Sequence, residues 1–343
     1  MLRMAIVGVG WAGTRQVQAV RELGRKVEVT CLVDHDADFL AAKGQELCIR
    51  DCTTDYGKVL ADPNVDAVSI CTPHALHCEM AIEAASAGKH VLVEKPMAMT
   101  VAEATRMIEA ARTQNVRLYV AESAVYEPMP RYLRGIVSSG RHIGELTHAS
   151  TAAGFRAPDY GYAGRREWLS TPAMGGTGTW MLHGIHRVAA LRYVLGEVTT
   201  VYMGDHHAAS FTRPNLEATM SGLYTLESGV HVSVLQTCET RLRGDLAGYT
   251  LYGDRGVVRA TERGCVVMAA DQETGASTTV PYPEQALSSY ALEIEAFADY
   301  VSGERTGPTT AASERRSLAI VQAGYESARS GQPVDLRQRF GEL

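Results

Sequence analysis

Residues 3–13 read R-M-A-I-V-G-V-G-W-A-G, and this stretch decides the fold of the first part of the chain. Ala5–Val7 is a short apolar run ending at a glycine, which is typical of a strand buried on both faces. The residues that follow the glycines, 16–20, are predicted to be helical. A strand, a glycine-rich turn and a helix in this order predict the first turn of a dinucleotide-binding domain.

The three glycines of this turn have the G-x-G-x-x-G spacing. Gly8 makes the tight turn, Gly10 lets the backbone approach a pyrophosphate, and Gly13 lets the helix pack closely on the strand. Trp11 and Ala12 lie between the last two glycines, where the free N–H groups of the helix N-terminus favour an anion. We therefore predict that these five residues bind the cofactor.

An acidic residue follows the second predicted strand, Val27–Val33. Asp34 comes about twenty residues after Gly13, where dinucleotide-binding domains carry the acid that binds the adenosine ribose hydroxyls. Its carboxylate would repel a 2′-phosphate, and the next two residues, His35 and Asp36, include no arginine to bind one. The sequence therefore favours NAD as cofactor, with NADP as the alternative.

The composition is that of a water-soluble globular protein with room for two domains: 343 residues, 45% hydrophobic and 21% charged. A net charge of −6 gives no support to binding of nucleic acid or of a membrane surface. No apolar run approaches the roughly 18 residues that a membrane span needs. The first strand begins at once, and the seven cysteines form no C-x-x-C pair, so we expect a cytoplasmic protein with reduced thiols.

Strands and helices alternate through residues 1–122, which predicts a Rossmann domain with a doubly wound parallel sheet. After Asp34, strands are predicted at 66–71, 90–93 and 117–120, and helices at 36–47, at 79–87 and after Thr100, which has a capping-box partner in Glu103.

Short strands and turns dominate residues 123–343, which predicts an α+β domain for substrate binding and oligomerisation, with a large, mainly antiparallel open sheet. Strands are predicted at 145–153, 199–206, 217–226, 230–237, 248–251 and 257–260. Helices are predicted at 131–138, at 175–195 and twice near the end, where Ile294, Phe297, Ala298 and Val301 have helical spacing. These last helices are candidates for packing back on the first domain.

Two further motifs follow predicted strands of the first domain: Thr72-Pro73-His74 and Glu94-Lys95-Pro96. Ligands of parallel sheets bind beyond the carboxyl ends of the strands, which is where both motifs fall. A lysine there can polarise the oxygen of an alcohol or ketone, and burial would lower its pKa. The alternative is a surface lysine paired with Glu94.

Together these motifs resemble the Gfo/Idh/MocA oxidoreductases, named for glucose–fructose oxidoreductase, inositol dehydrogenase and a rhizopine catabolism protein. The resemblance rests on G-V-G-W-A-G, on C-T-P-H-A-L-H at 71–77, on A-G-K-H-V-L-V-E-K-P at 87–96 and on Gly175–His186. It implies hydride transfer between a nicotinamide cofactor and a secondary alcohol or ketone, with Lys95 orienting and polarising the oxygen. It also implies further cofactor contacts from Thr72, Pro73, His77, Glu94 and Lys95 itself.

The second catalytic element of this family is a glycine-led helix with an acid and, four residues later, a histidine. His186 falls on the histidine position, which implies a general base in oxidation and a general acid in reduction. The acid position holds Leu182, which argues against a substrate held through a diol. His183, three residues before His186, is the candidate substitute contact. We expect Lys95 and His186 to act on one substrate oxygen.

Substrate contacts are less clearly marked. Relatives often carry an asparagine or aromatic residue and then an arginine before the proline that matches Pro128, where this chain has Ser123-Ala124-Val125. Glu122 and Tyr126 are the polar residues left, and Trp168 matches a tryptophan frequent in relatives. Arginines before the glycine-rich helix could bind a substrate carboxylate or phosphate, but a solvated loop is the simpler interpretation; they are Arg156, Arg165 and Arg166.

No metal site is predicted, because the histidines at 183, 186, 206 and 207 have no cysteine or acid at ligand spacing. The resemblance makes a homodimer or homotetramer through the second domain's sheet the expected assembly. Two other functions remain open. One is an NAD-dependent glycosidase that oxidises a sugar transiently, and the other is a non-catalytic dinucleotide-binding regulator.

Overall fold

A computed structural model describes residues 1–155, 168–169, 171–175, 178–208, 216–269 and 277–343. The chain forms two compact units. The first contains Met1–Tyr126 and Ala286–Leu318, together with residues 168, 169 and 171–175. The second contains the described residues of 127–155, 178–285 and 319–343. Residues 286–318 thus belong to the same unit as the N-terminal strands.

The first unit is built on a six-stranded sheet in which every pairing is parallel. Its strands are β1 (Leu2–Val7), β2 (Val27–Val33), β3 (Cys52–Thr53), β4 (Ala67–Ile70), β5 (His90–Glu94) and β6 (Leu118–Ala121). Their order in the sheet, β3-β2-β1-β4-β5-β6, is that of a Rossmann fold, with the chain reversing direction of winding between β1 and β4. The predicted doubly wound parallel sheet is confirmed.

Helices cover this sheet, and one of them starts with the capping box that the sequence predicts. They are α1 (Trp11–Glu22), α2 (Ala37–Glu46), α3 (Tyr56–Ala61), α4 (His77–Ser86), α5 (Val101–Thr113) and α8 (Ser289–Ser302). At the start of α5, the Glu103 N–H donates to Thr100 Oγ1 at 3.2 Å, and the Met99 N–H donates to the Glu103 carboxylate at 2.9 Å. The predicted capping box therefore forms, with the Met99 N–H as the second donor.

The second unit carries a nine-stranded sheet in the order β14-β13-β12-β11-β7-β10-β9-β8-β15. Its strands are β7 (Leu146–Gly154), β8 (Val198–His206), β9 (Thr219–Leu226), β10 (His231–Thr237), β11 (Gly248–Gly253), β12 (Gly256–Thr261), β13 (Gly264–Ala269), β14 (Ser277–Val280) and β15 (Val334–Asp335). Neighbours are antiparallel except β7 and β10, which run parallel. The predicted mainly antiparallel sheet is confirmed.

One face of this sheet is buried and the other is open. Alternate residues such as Met203, Tyr224 and Val232 are fully buried, while Tyr202 and Leu223, paired across β8 and β9, are 49% and 39% exposed.

The remaining helices are α6 (Pro128–Ser139), α7 (Ile185–Leu195), α9 (Ala311–Ser330) and α10 (Leu336–Phe340). Among the described helices, none has both the length and the apolar character needed to cross a bilayer.

The predicted helix at 175–195 begins later than expected. Pro172–Met174 is a 3₁₀ turn that ends at Gly175, whose φ of +88° is incompatible with a helix start. The helix begins with a π-helical turn, Trp180–Gly184, and continues as α7. The prediction of one helix from Gly175 is therefore wrong, because this glycine supplies a left-handed turn.

Candidate active site

The glycine turn between β1 and α1 has the geometry that an anion site needs. Gly8 has φ +87°, and a Cβ placed on it would lie 2.6 Å from the Cys71 carbonyl oxygen. A Cβ on Gly13 would collide with the Gly8 carbonyl. A Cβ on Gly10 would meet nothing within 4 Å, so the backbone is open at that position. The two outer glycines thus serve packing, and Gly10 leaves room for a ligand beside the N-terminus of α1.

Asp34 lies next to this turn at the end of β2. Its carboxylate accepts the N–H of Val9 and the N–H of Asp36, both at 3.2 Å, and the residue is 5% exposed. His35 Nδ1 is 3.2 Å from the same carboxylate, and its own side chain is 90% exposed. The acid is therefore fixed in place by backbone donors, next to the glycine turn.

Trp11, the exposed residue inside the glycine turn, has aromatic and cationic neighbours. Its ring lies 6.4 Å from that of Tyr290 on α8, in an edge arrangement, and the Arg15 guanidinium is 4.7 Å from the Trp11 ring centroid. Helix α8 packs on α1 here, so a residue almost 280 positions away in sequence borders the turn. Tyr290 was not among the predicted site residues.

Glu94 is held by a chain of side chains that begins in the core. Ser69 Oγ donates to Gln16 Oε1, and Gln16 Nε2 donates to Glu94 Oε1 at 2.9 Å. Both Ser69 and Gln16 are completely buried, and Glu94 is half-buried. Burial raises the pKa of Glu94 to about 7, against the lowering influence of Lys95 and Gln16. This carboxyl can therefore change its protonation state near neutral pH.

Lys95 is half-buried at the end of β5, and its peptide bond to Pro96 is cis. Burial lowers the pKa of the Lys95 ammonium, while the carboxylates of Glu94 and Glu122 act to raise it. Glu94 pairs with Ala121 across β5 and β6, so Glu122 comes directly after the partner of Glu94. The lysine therefore has two acids as electrostatic neighbours at the ends of two adjacent strands. This is the setting that sequence reasoning predicted for a lysine that polarises oxygen.

His77 and His74 tie the end of β4 to neighbouring loops. His77 is fully buried, with Nδ1 2.9 Å from the Pro96 carbonyl oxygen and Nε2 2.9 Å from that of Thr72. His74 Nδ1 lies 2.9 Å from the Gly175 carbonyl oxygen. Burial lowers the pKa of both rings. His77 thus joins two of the predicted cofactor-binding segments through their backbone.

Trp168 is half-buried and packs edge-on against His74, with ring centroids 4.8 Å apart. His74 belongs to the strand-end motif Thr72-Pro73-His74 and is not among the predicted site residues. Its position between Trp168 and Gly175 connects the end of β4 with the turn before the glycine-rich helix. The sequence signal that could have indicated this role is a histidine directly after a proline at a strand end.

The two predicted substrate contacts after β6 are buried in the first unit. Glu122 is completely buried, and its Oε1 accepts the Ala124 N–H at 3.0 Å. Tyr126 is 8% exposed, and its hydroxyl is 2.8 Å from that of Tyr119 and 3.5 Å from Thr309 Oγ1. Both side chains therefore make internal contacts.

Glu293 on α8 is a functional candidate that sequence reasoning missed. It is completely buried, and neither carboxyl oxygen has a hydrogen-bond partner among the described residues. Burial, together with Glu94 and Glu122, raises its pKa well above the ordinary value. The signal was present, because Glu293 lies four residues before Phe297 on the apolar stripe that predicted the helix.

The π-helical turn of the second unit is fixed by a carboxylate. Glu217 accepts the Trp180 N–H at 2.7 Å and the Tyr325 hydroxyl at 2.7 Å. Trp180 is completely buried, and its Nε1 donates to the Val321 carbonyl at 3.2 Å. Gly184 leaves room for the Trp180 ring, which a Cβ there would strike. π-Helical turns occur often at functional sites.

His183 lies in this turn and His186 in the first turn of α7, and both side chains are half-buried. The His183 ring is 4.3 Å from that of Phe155. Leu182, at the family's acid position, is 6% exposed. Arg156, Arg165 and Arg166 lie outside the described residues. Within the described part of the chain, no three His, Cys, Asp or Glu side chains are grouped to hold a metal ion.

Family models match both parts of the chain. Residues 2–122 match the model described as "Oxidoreductase family, NAD-binding Rossmann fold", and residues 139–336 match "Oxidoreductase family, C-terminal alpha/beta domain". Both are models of the Gfo/Idh/MocA group.

Relatives align along almost the whole chain. A 1,5-anhydro-D-fructose reductase of Ensifer adhaerens is 27% identical, with 98% of this chain and 99% of that protein covered. A myo-inositol 2-dehydrogenase of Thermotoga maritima is 24% identical, with 99% and 100% covered. A levoglucosan dehydrogenase in complex with NADH and levoglucosan has a TM-score of 0.85 at 20% identity, with 98% and 99% of the two chains covered. This last likeness concerns the fold.

Proposed function

The chain belongs to the Gfo/Idh/MocA oxidoreductase family, and from this premise we propose that it transfers a hydride between a nicotinamide dinucleotide and a secondary alcohol or ketone. The substrate class is a sugar, a cyclitol or a ring dihydrodiol. The observation that carries the proposal is the setting of Lys95, which is half-buried, has Glu94 and Glu122 as electrostatic neighbours and lies in the same unit as the glycine turn.

The cofactor site is proposed to use the glycine turn, Asp34 and the ends of β4 and β5. The open space at Gly10 and the N-terminus of α1 suit a pyrophosphate, and the fixed Asp34 carboxylate suits two ribose hydroxyls. These residues therefore fit a dinucleotide. When bound, it supplies the hydride acceptor or donor. Asp34 also favours NAD over NADP, because its charge would repel a 2′-phosphate.

Lys95 is proposed to donate a hydrogen bond from its ammonium to the reacting oxygen. In oxidation this charge stabilises the alkoxide character that develops as the proton leaves, and in reduction it polarises the carbonyl. Its lowered pKa makes the ammonium a stronger acid than an exposed lysine. The carboxylates of Glu94 and Glu122 act to raise this pKa and so favour the charged form.

His186 is proposed as the general base in oxidation and the general acid in reduction, because an imidazole titrates near neutrality. Glu122, Tyr126, Trp168 and His183 remain candidates for substrate contact. Leu182 supplies no acceptor for a neighbouring hydroxyl, so we expect substrates in which recognition does not depend on a diol at that place.

A homodimer or homotetramer is proposed to form through the open face of the nine-stranded sheet. Tyr202, Leu223, Tyr252 and Met268 are large apolar residues on this sheet that are 38–49% exposed. An open sheet face that carries several large apolar residues suits an interface between subunits. Light scattering of the wild type and of Leu223→Lys would test the assignment, since the charged variant should dissociate.

The function is tested by a screen of aldoses, polyols, cyclitols and dihydrodiols with NAD⁺, in which the absorbance of NADH reports turnover. We expect at least one substrate to give stoichiometric NADH and its ketone. Cleavage of an aryl glycoside with no net NADH would instead identify the glycosidase. NADH binding with no turnover on any of these classes would favour the regulator.

A further inference from the structure

Glu293 is a buried acid that has no role in the proposed reaction. A buried carboxyl without a donor is costly in either form, and most costly when it is charged. No described residue donates to either of its oxygens. Such a group in a folded protein calls for an explanation, and a ligand that supplies positive charge is one.

The surroundings of Glu293 place it at the ligand-binding end of the parallel sheet. Helix α8 packs on α1 and on Ser123–Tyr126, the turn after β6. The titratable groups in electrostatic contact with Glu293 lie on several elements at this end: Glu94 at the end of β5, Glu122 after β6, Cys71 after β4, and Tyr119, Tyr126 and Tyr290. Lys95 acts on the two acids, and Arg15 acts on Tyr290.

The charges at this end are unbalanced. Glu94 and Glu122 both act on the Lys95 ammonium, and Glu293 is in electrostatic contact with these two acids, so three carboxyls are coupled where one lysine compensates two of them. Like charges at short range in a low-dielectric site cannot all be ionised, so the one without hydrogen-bond donors retains its proton. Glu94 has Gln16 as a donor and Glu122 has Ala124, so the neutral group is Glu293.

The oxidised nicotinamide ring is a cation and the reduced ring is neutral. Resting on the function proposed above, we propose that Glu293 is neutral in the cofactor-free protein and loses its proton when the oxidised dinucleotide binds. The O–H bond of the Glu293 carboxyl breaks, its electron pair stays on the carboxylate, and the proton goes to solvent on the side of the half-buried Glu94. The resulting carboxylate balances the positive charge of the ring, and the reduced cofactor gives no such release.

Because proton release and NAD⁺ binding are thermodynamically linked, the proposal can be tested by binding measurements without turnover. Release of one proton on binding tightens the binding of NAD⁺ by up to about tenfold per pH unit, whereas NADH affinity stays flat. Calorimetric titrations of both nucleotides from about pH 6 to about pH 9, in buffers of different ionisation enthalpy, give the affinities and the number of protons released.

Glu293→Gln removes the titratable proton but keeps the shape of the side chain. The pH dependence of NAD⁺ affinity and the proton release on binding should therefore both disappear. Glu295→Gln is the matched control on the same helix, because Glu295 is partly exposed and pairs with Lys26 at 3.3 Å. This control should keep the wild-type slope. Should Glu293→Gln fail to fold, the wild-type comparison of NAD⁺ with NADH still tests the proposal, because it requires a pH slope for NAD⁺ alone.

Equal pH slopes for the two nucleotides in the wild type would overturn the proposal. A wild-type slope in Glu293→Gln that vanishes in Glu94→Gln would overturn it too, because the proton would then come from Glu94. Absence of binding by both nucleotides would overturn the proposed function and this inference together. Binding without Glu293-dependent proton release would overturn the inference alone.

Discussion

Gln16, in the helix after the glycine turn, donates from Nε2 to the carboxylate of Glu94 at 2.9 Å. One buried amide therefore connects the predicted pyrophosphate site with the acid that precedes Lys95. Replacing Gln16 with methionine keeps the volume but leaves the buried Ser69 hydroxyl and Glu94 without their partner. We expect the free energy of unfolding to fall by about 1–3 kcal/mol.

Urea denaturation measures this change. Gln18→Met, in the same helix but at an exposed position, is the control and should change stability by less than about 0.5 kcal/mol. Equal stability of the two variants would show that the Gln16–Glu94 hydrogen bond contributes nothing to the fold.

A substitution at Gly10 should affect cofactor binding without affecting the stability of the fold. A Cβ at this position meets no protein atom within 4 Å, and φ is −69°, so Gly10→Ala should fold with wild-type stability. The methyl group would occupy the space proposed for the pyrophosphate, so NADH binding should weaken by at least about tenfold, or about 1.4 kcal/mol.

NADH fluorescence titration and thermal unfolding provide the two readouts. Gly135→Ala, a helix position in the second unit that is equally open, should leave NADH binding unchanged. Tight NADH binding by Gly10→Ala would place the pyrophosphate elsewhere.

Asp34 should set the choice between the two dinucleotides. Asp34→Ala removes the charge that repels a 2′-phosphate, so the affinity for NADPH relative to NADH should rise by at least about tenfold. Asp36→Ala is the control, because Asp36 caps α2 through the Phe39 N–H at 3.0 Å. It should cost about 1 kcal/mol of stability without changing the preference. A wild-type protein that already prefers NADPH would contradict the assignment.

Glu94 should give stability a measurable pH dependence. Its pKa in the folded protein is about 7, above the ordinary value of 4.5. A carboxyl with a raised folded-state pKa contributes stability that is fully present below pH 4.5 and is lost as pH rises through about 7. Glu94→Gln should therefore flatten the decline in stability across this window. Thermal unfolding at a series of pH values checks this, and an unchanged decline in the variant would contradict it.

Local patterns predicted most of this fold. The glycine turn, the capping box of Thr100 and the strand ends at Asp34 and Glu94 are short-range features, and each forms as expected. The helix at 175 was misplaced because a glycine reads alike as a helix opener and as a left-handed turn. The strands 264–269 and 277–280 were missed because short strands with mixed residues carry a weak alternating pattern.

The candidate site divides in the same way. Lys95, Asp34 and the glycines were found because their spacing carries the chemistry. Gln16, Tyr290 and Glu293 were not, because each reaches the site through tertiary packing. Glu293 was visible only as an acid on an apolar helix stripe, a pattern that more often marks the edge of a buried face.

The central claim is that the Lys95 ammonium acts mainly in hydride transfer, and that its contact with the cofactor contributes little to the affinity for NAD⁺. The direct measurement is single-turnover formation of NADH by Lys95→Met, at saturating NAD⁺ and with a substrate from the screen, alongside NAD⁺ affinity. We predict a loss of hydride-transfer rate of at least about 100-fold, with NAD⁺ affinity within about threefold of the wild type. A variant that transfers hydride at the wild-type rate would contradict the account.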